Sequence, residues 1–258
     1  MEILLIKEKG FLEKSLLFAR LSSISYKDLE QASEQAKTLG FPTSKFYDKD
    51  GAQAYLFSND TDMIISCRGT EPTKWSDIKS DINALPVRSE SVSRVHKGFK
   101  DAVDELWPNI EIDMIKTEGN KTIWLCGHSL GASMATIMAS RLKHNINLND
   151  PLELYTYGSP RVGWLSYINN VNVIHYRWKN NNDIVTTVPL VLMGYRHHGE
   201  EHYLNAYGQM RSPTGWQRVK DKFRGFWMGL RKGKIDNFSD HSINEYIRHI
   251  ENGLWNLD

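Results

Sequence analysis

The stretch Cys126-Gly127-His128-Ser129-Leu130-Gly131-Ala132 sets one serine between two glycines in a G-x-S-x-G pattern. A strand-like run, Thr122 to Cys126, precedes it, and small residues at Ala132, Ala135 and Ala139 follow it at helical spacing. A serine on a sharp turn from strand to helix projects its hydroxyl above a sheet. A side chain two positions to either side would strike neighbouring backbone, so both places call for glycine. The same turn leaves the Leu130 N–H at a helix N-terminus, where it can stabilise an oxyanion. This is equipment for nucleophilic acyl transfer, a serine oxygen attacking a carbonyl carbon. A hydroxyl is a poor nucleophile until a base takes its proton and an acid orients that base. Ser129 therefore needs partners elsewhere in the chain.

The elements that would position such partners follow from periodicity. From Phe11 to Leu39, apolar residues recur at helical spacing, predicting one or two amphipathic helices ended by Gly40 and Pro42. Ala54–Phe57 and Met63–Cys67 are short apolar runs separated by the turn cluster Ser58-Asn59-Asp60. Three further strands are expected at Thr122–Cys126, Leu152–Tyr157 and Val171–Tyr176, with helices at Phe99–Trp107 and Leu130–Leu142 between them. Strands alternating with helices imply an α/β protein with a largely parallel sheet covered on both faces. No internal repeat, low-complexity tract or linker interrupts the 258 residues, so one domain over 1–258 is expected.

Five ordered segments between Ala52 and Tyr246 resemble the class 3 lipases. Cys67-Arg68-Gly69-Thr70 is similar to the strand end that supplies an oxyanion donor, and Val95-His96-Lys97-Gly98-Phe99 to the opening of the helix before the nucleophile strand. The elbow at Gly127–Gly131 comes next, then the loop Tyr157-Gly158-Ser159-Pro160-Arg161-Val162-Gly163. Asp240-His241 followed by Tyr246 resembles the region of the C-terminal histidine. The resemblance implies an α/β-hydrolase fold, a mostly parallel central sheet flanked by helices.

In that fold the chain order is serine, then Asp or Glu, then His. Among nine histidines, His96, His128 and His175 lie upstream or within the elbow or a strand; His144 follows the elbow helix too closely, and His249 sits inside the last helix. His241 is the best base. Asp183 emerges at a strand end after Lys179-Asn180-Asn181-Asn182 and stands, like the family's aspartate, before a Val-Pro pair (Val188-Pro189). Asp240 is a poor rival, because adjacent loop residues rarely turn both side chains inward. The expected catalytic residues are Ser129, Asp183 and His241, with the backbone N–H groups of Thr70 and Leu130 forming the oxyanion hole. No metal or cofactor is called for.

Three other segments invite a chemical reading. His198-Gly199-Glu200-Glu201-His202 matches the zinc-binding pattern H-x-x-E-H, but that chemistry needs both histidines on one helix face, and Gly199 argues against a helix. The resemblance places a hairpin strand there. Trp75, Ile78 and Ile82 fall on one face of a short amphipathic helix after the oxyanion loop. The family's lid lies at this place, so the segment is a lid helix, its fixed remnant, or a surface helix capping the core. Between Trp216 and Lys234, seven basic residues face one acid, Asp221, and apolar residues recur at helical spacing. That stretch is either a transient lipid-surface contact or a core-packed helix with a solvated basic face.

Composition narrows the class without naming the substrate. Hydrophobic residues make up 40% and charged residues 24%, and 32 basic against 31 acidic residues exert no global pull toward nucleic acid. The N-terminal apolar run Met1–Ile6 is too short for a signal segment and is followed by Lys7, Glu8 and Lys9, and no stretch approaches a membrane span. With Cys67 and Cys126 both in apolar runs, a cytoplasmic location is expected, non-standard export and a disulfide both staying open. The expected activity is carboxylic ester hydrolysis, of triacylglycerol first. Phospholipase A1, a short-chain or feruloyl-type esterase, and a silent lipid-binding scaffold are the alternatives.

Overall fold

The computed structural model describes residues 5–69, 85–117, 119–205, 207–211 and 239–255. Two helices open the chain, α1 (Phe11–Ile24) and α2 (Leu29–Thr38). Glu13 reaches back to the Gly10 N–H at 2.7 Å, and Asp28 accepts from the Gln31 N–H at 2.9 Å, so each helix begins where a side chain satisfies a free donor. Three strands follow, β1 (Thr43–Lys49), β2 (Ala52–Ser58) and β3 (Asp62–Arg68). The polar edge strand β1 has no clear apolar alternation and was not foreseen from the sequence.

Short strands β4 (Pro86–Arg88) and β5 (Arg94–His96) lead into helix α3 (Lys97–Thr117). This helix runs ten residues past the expected end at Trp107, through Pro108, because Ile110 and Met114 continue its buried stripe. Then come β6 (Thr122–His128), α4 (Leu130–Lys143), β7 (Glu153–Tyr157), β8 (Gly163–Trp164) and α5 (Leu165–Asn170). Strand β9 (Ile174–Asn180) starts three residues later than the predicted Val171. Val171 and Val173 instead bury in the core as the loop from α5, and the strand continues through Arg177, which pairs with Glu201 at 3.0 Å. After β10 (Tyr195–Arg196), β11 (Glu200–Leu204) and β12 (Met210–Arg211), helix α6 (Ile243–Trp255) closes the described chain.

The main sheet has the order β1-β2-β3-β6-β7-β9-β11-β12. Strands β3, β6, β7, β9 and β11 run parallel, and both ends of the sheet are antiparallel. This is the α/β-hydrolase arrangement. Successive side chains alternate between two cores: Met63, Ile65, Cys67, Leu125 and Leu154 pack toward α3 and α4, while Ile64, Trp124, Cys126 and Tyr155 pack toward α1 and α6. The register sets Ser66 opposite Cys126, so Cys67 and Cys126 point to opposite faces and both are free thiols. Burial pushes the Cys126 thiol up to about 11, an unreactive group. A second, small sheet has the order β10-β8-β5-β4.

Candidate active site

Strands β3, β6, β7 and β9 all end at the same edge of the sheet, and the candidate residues gather there. Ser129 sits between β6 and α4 with φ 62° and ψ −129°, a backbone region that side chains rarely occupy. Such a conformation costs roughly 1–3 kcal/mol and persists only where the surroundings enforce it. The flanking glycines are part of that enforcement. A Cβ on Gly127 would run into the Gly131 carbonyl, and a Cβ on Gly131 would run into the Cys67 carbonyl of the neighbouring strand. The Ser129 N–H donates to the Tyr157 carbonyl at 2.9 Å, tying the elbow to the end of β7.

The fully buried Ser129 hydroxyl lies 2.8 Å from Nε2 of His241. His241 stands in a single turn, Ser239–His241, ahead of α6, and its Nδ1 lies 2.9 Å from one Asp183 oxygen and 3.0 Å from the other. A carboxylate can only accept, so Nδ1 carries the proton and Nε2 is left to accept from the serine hydroxyl. The arrangement brings Ser129, Asp183 and His241 together across 112 residues of chain.

Asp183 is buried, and that alone would raise its carboxyl. The His241 imidazole and the Tyr246 hydroxyl outweigh burial and hold it below the usual carboxylate range. Tyr246 donates to Asp183 at 2.6 Å while accepting from the Asn180 N–H at 3.0 Å, and the Val185 N–H donates to the other oxygen at 3.0 Å. The neighbouring Asp240 turns away. Its carboxylate accepts from the Asn181 side chain at 3.0 Å, and its carbonyl accepts from Asn180 at 2.9 Å, so it fastens the Asn-rich loop to the histidine turn.

The structure adds residues that spacing did not single out. His128 Nε2 donates to the His241 carbonyl at 2.7 Å, its Nδ1 accepts from the Tyr26 hydroxyl at 2.8 Å, and its ring lies 4.6 Å from that of His241. Burial, then the neighbouring His241, lowers the His128 imidazole to about 3, so it is a neutral support. Gly158, at φ 61°, makes room for the pair: a Cβ there would lie 2.7 Å from Asp183 and 2.8 Å from His241. The sequence flagged Gly158 and Tyr246 only as parts of motifs, and nothing flagged Tyr26.

Leu130 is the first residue of α4, where leading N–H groups lack an intrahelical partner. Thr70, the proposed lid residues Trp75, Ile78 and Ile82, and the basic stretch 216–234 lie outside the described residues. The H-x-x-E-H segment forms β11 after Gly199 at φ 85°. His198 meets His175 at 3.0 Å, whereas His202 packs on Phe11, Tyr176 and Trp178. Among the described residues, no three His, Cys, Asp or Glu side chains are grouped to hold a metal ion, and no helix is long and apolar enough to cross a membrane.

The family profile described as lipase (class 3) matches residues 64–193, half of the chain, spanning the elbow and Asp183. The chain belongs to the class 3 lipase family. It is 36% identical over 166 residues to a secreted mono- and diacylglycerol lipase of Fusarium solani, covering 61% of this chain and 49% of that protein. It is 30% identical over 194 residues to toxin TseL of Vibrio cholerae, covering 58% of this chain and 30% of that one. The chain thus spans less than half the length of these two relatives. The Rhizomucor miehei lipase in its propeptide complex superposes with a TM-score of 0.68 at 24% identity, over 77% of this chain and 70% of that one, which shows the fold.

One expectation is overturned. Several relatives of this class 3 lipase are named as secreted, which points outside the cell and away from the cytoplasmic location expected from the N-terminus. Export is directed by segments separable from the folded unit, so the character of one short terminal stretch does not decide it.

Proposed function

We propose that the chain hydrolyses carboxylic esters of acylglycerols, with Ser129 as nucleophile, and that residues 1–258 act as one domain. The observation that carries the reading is the bonded series from Ser129 Oγ through His241 at 2.8 Å to Asp183 at 2.9 Å. His241 Nε2 takes the serine proton as Oγ adds to the ester carbonyl carbon. The resulting oxyanion is held by the N–H groups of Leu130 and Thr70. His241 then gives its proton to the departing alcohol oxygen, leaving an acyl-serine. Water, deprotonated by the same nitrogen, releases the acid and restores the serine. Asp183 keeps the imidazole in the tautomer this requires and stabilises its cation. One oxyanion donor is worth about 3 kcal/mol of transition-state stabilisation.

Acylglycerols are proposed because the Fusarium relative is named a mono- and diacylglycerol lipase. The same reading expects the lid segment at Trp75, Ile78 and Ile82 to govern access, and the stretch 216–234 to touch lipid transiently. The test is fluorophosphonate labelling beside a hydrolysis panel of mono-, di- and triacylglycerol emulsions, phospholipid vesicles and soluble butyrate esters. Ser129 should be labelled, Ser129→Ala should not, and the acylglycerols should be hydrolysed fastest. Absence of labelling in folded protein sinks the mechanism. A preference for phospholipid reassigns the substrate to the phospholipase A1 class.

A further inference from the structure

The acid and the base of the proposed triad both stand on short pieces of chain. Strand β9 ends at Asn180, and Asp183 follows after a spacer of two residues, Asn181 and Asn182. His241 ends the single turn Ser239–His241. One such turn closes few backbone bonds of its own, and a misplacement of about 1 Å among reacting groups costs about 10²-fold in rate. Whatever fixes these two pieces against each other therefore bears on the rate.

Asp240 does so largely with one oxygen. Its Oδ2 accepts from the Asn181 side-chain amide at 3.0 Å and from the Asn182 backbone N–H at 3.3 Å, so both spacer residues meet the same atom. The Asp240 carbonyl accepts from the Asn180 side chain at 2.9 Å, at the last residue of the strand. The next carbonyl along, that of His241, accepts from His128 at 2.7 Å. The Oδ1 atoms of Asn180 and Asn181 are buried and accept no bond from the described residues, so the bonds to Asp240 orient these two amides. Asn181 also stands at φ 34°, a region that Asn tolerates better than most residues but that its surroundings must enforce.

The charge on Asp240 finds no comparable use. Among the described residues its donors are neutral amides, and the charged groups that act on it, Asp183 and Glu245, are acids. Burial, ahead of those two acids, pushes its carboxyl above the usual aspartate range. The contacts use the place of an oxygen.

We propose that Asp240 is a positioning residue for the hydrolysis, its Oδ2 latching the loop of Asp183 to the turn of His241 and so setting the spacing of the pair. The proposal rests on the hydrolase reading above and extends it by one residue. Because the role is geometric, an amide oxygen in the same place serves it and a methyl group does not.

The test compares Asp240→Ala, Asp240→Asn, Asn181→Ala and the Asp240→Ala/Asn181→Ala double variant, in the full chain, on a soluble butyrate ester. Asp240→Ala should lower kcat about tenfold with KM within about twofold of the parent. Asp240→Asn should recover to within about threefold of the parent kcat, since an amide oxygen accepts the same two bonds. Asn181→Ala should lower kcat about threefold alone and add nothing in the double variant, as expected of two partners in one bond. Proton NMR of the His241 Nδ1–H, the proton bonded to Asp183, reads the pair without turnover. Its downfield resonance should broaden or vanish in Asp240→Ala and persist in Asp240→Asn. Near-ultraviolet circular dichroism checks folding. A folded Asp240→Ala with parental kcat overturns the proposal, as do equal losses in the alanine and asparagine variants, a change confined to KM, or additive losses in the double variant. If Asp240→Ala does not fold, Asn181→Ala and Asp240→Asn decide: loss in the first with retention in the second supports the latch, and any other pattern overturns it. A parent that neither turns over ester nor reacts with fluorophosphonate removes the hydrolase reading, while the NMR comparison still decides whether Asp240 sets the pair.

Discussion

Two regions of this class 3 lipase bring histidines and acids close together, and they use them in opposite ways. At the end of the parallel strands, His241 bonds Ser129 at 2.8 Å and Asp183 at 2.9 Å, and Tyr246 and Val185 satisfy the carboxylate further. Along β9 and β11, His175 bonds Thr156 at 2.7 Å and His198 at 3.0 Å, Glu201 pairs with Arg177, and His202 lies among aromatic rings. The second region looks richer in sequence, since its pattern sits within five consecutive residues. Yet β11 and the left-handed Gly199 give its two histidines different neighbours. The lesson is that chemistry needs convergence on one point, and a strand does not converge residues that a helix would.

The largest effect should separate these regions outright. Asp183→Asn reverses the histidine tautomer and should lower kcat/KM by on the order of 10⁴-fold, while His198→Asn in the same assay should change it less than about twofold. Similar losses in both would erase the distinction, and so would inactivation by a chelator with recovery on zinc.

Gly158→Ala should come next. It pushes a methyl group toward Asp183 and His241 from a backbone at φ 61°. A misplacement of this kind costs about 10²-fold in rate, and the strained conformation about 1–3 kcal/mol in stability. Kinetics with a soluble ester and urea midpoints measure the two. A fully active variant would mean that the pair has more freedom than the geometry gives it.

Tyr246→Phe tests how far the site relies on its support. It removes a hydrogen bond to a buried charge and strands the Asn180 N–H, so a loss of about 2 kcal/mol in stability is expected, with a fall of about tenfold in kcat. Loss of stability with unchanged kcat would make Tyr246 a fold residue only.

The smallest effect is in acid. Burial lowers His198 to about 4 and His96 to about 4, and burial with His241 lowers His128 to about 3. Between those values and the ordinary histidine pKa of about 6.5, the unfolded chain binds protons that the folded chain refuses. Stability should therefore fall as pH drops below about 6.5. Asp183, held low, adds its own loss only further down, as pH falls through its depressed value. His198→Asn should shrink the difference between urea midpoints at about pH 7 and pH 5. An unchanged difference would mean that the β9–β11 histidines do not contribute to it.

Legibility from sequence followed the range of the forces involved. The elbow was readable because its glycines answer a local steric demand: Gly127 and Gly131 have no room for a Cβ. The near-continuous apolar runs Met63–Cys67 and Thr122–Cys126 announced strands buried on both faces, and those strands form the middle of the sheet. Strand β1 was invisible because an edge strand needs little apolar content, and β9 was misplaced because buried Val171 and Val173 serve a loop. Motif order pointed to Ser129, Asp183 and His241, but only packing could state their distances. The support from Tyr246, Gly158, His128 and Tyr26 belongs to the tertiary structure alone, since those contacts span 63 residues from Asp183 to Tyr246 and 102 from Tyr26 to His128. Short-range sterics and periodicity are written along the chain; which distant side chain satisfies a buried donor or charge is decided when the sheet brings its strand ends together.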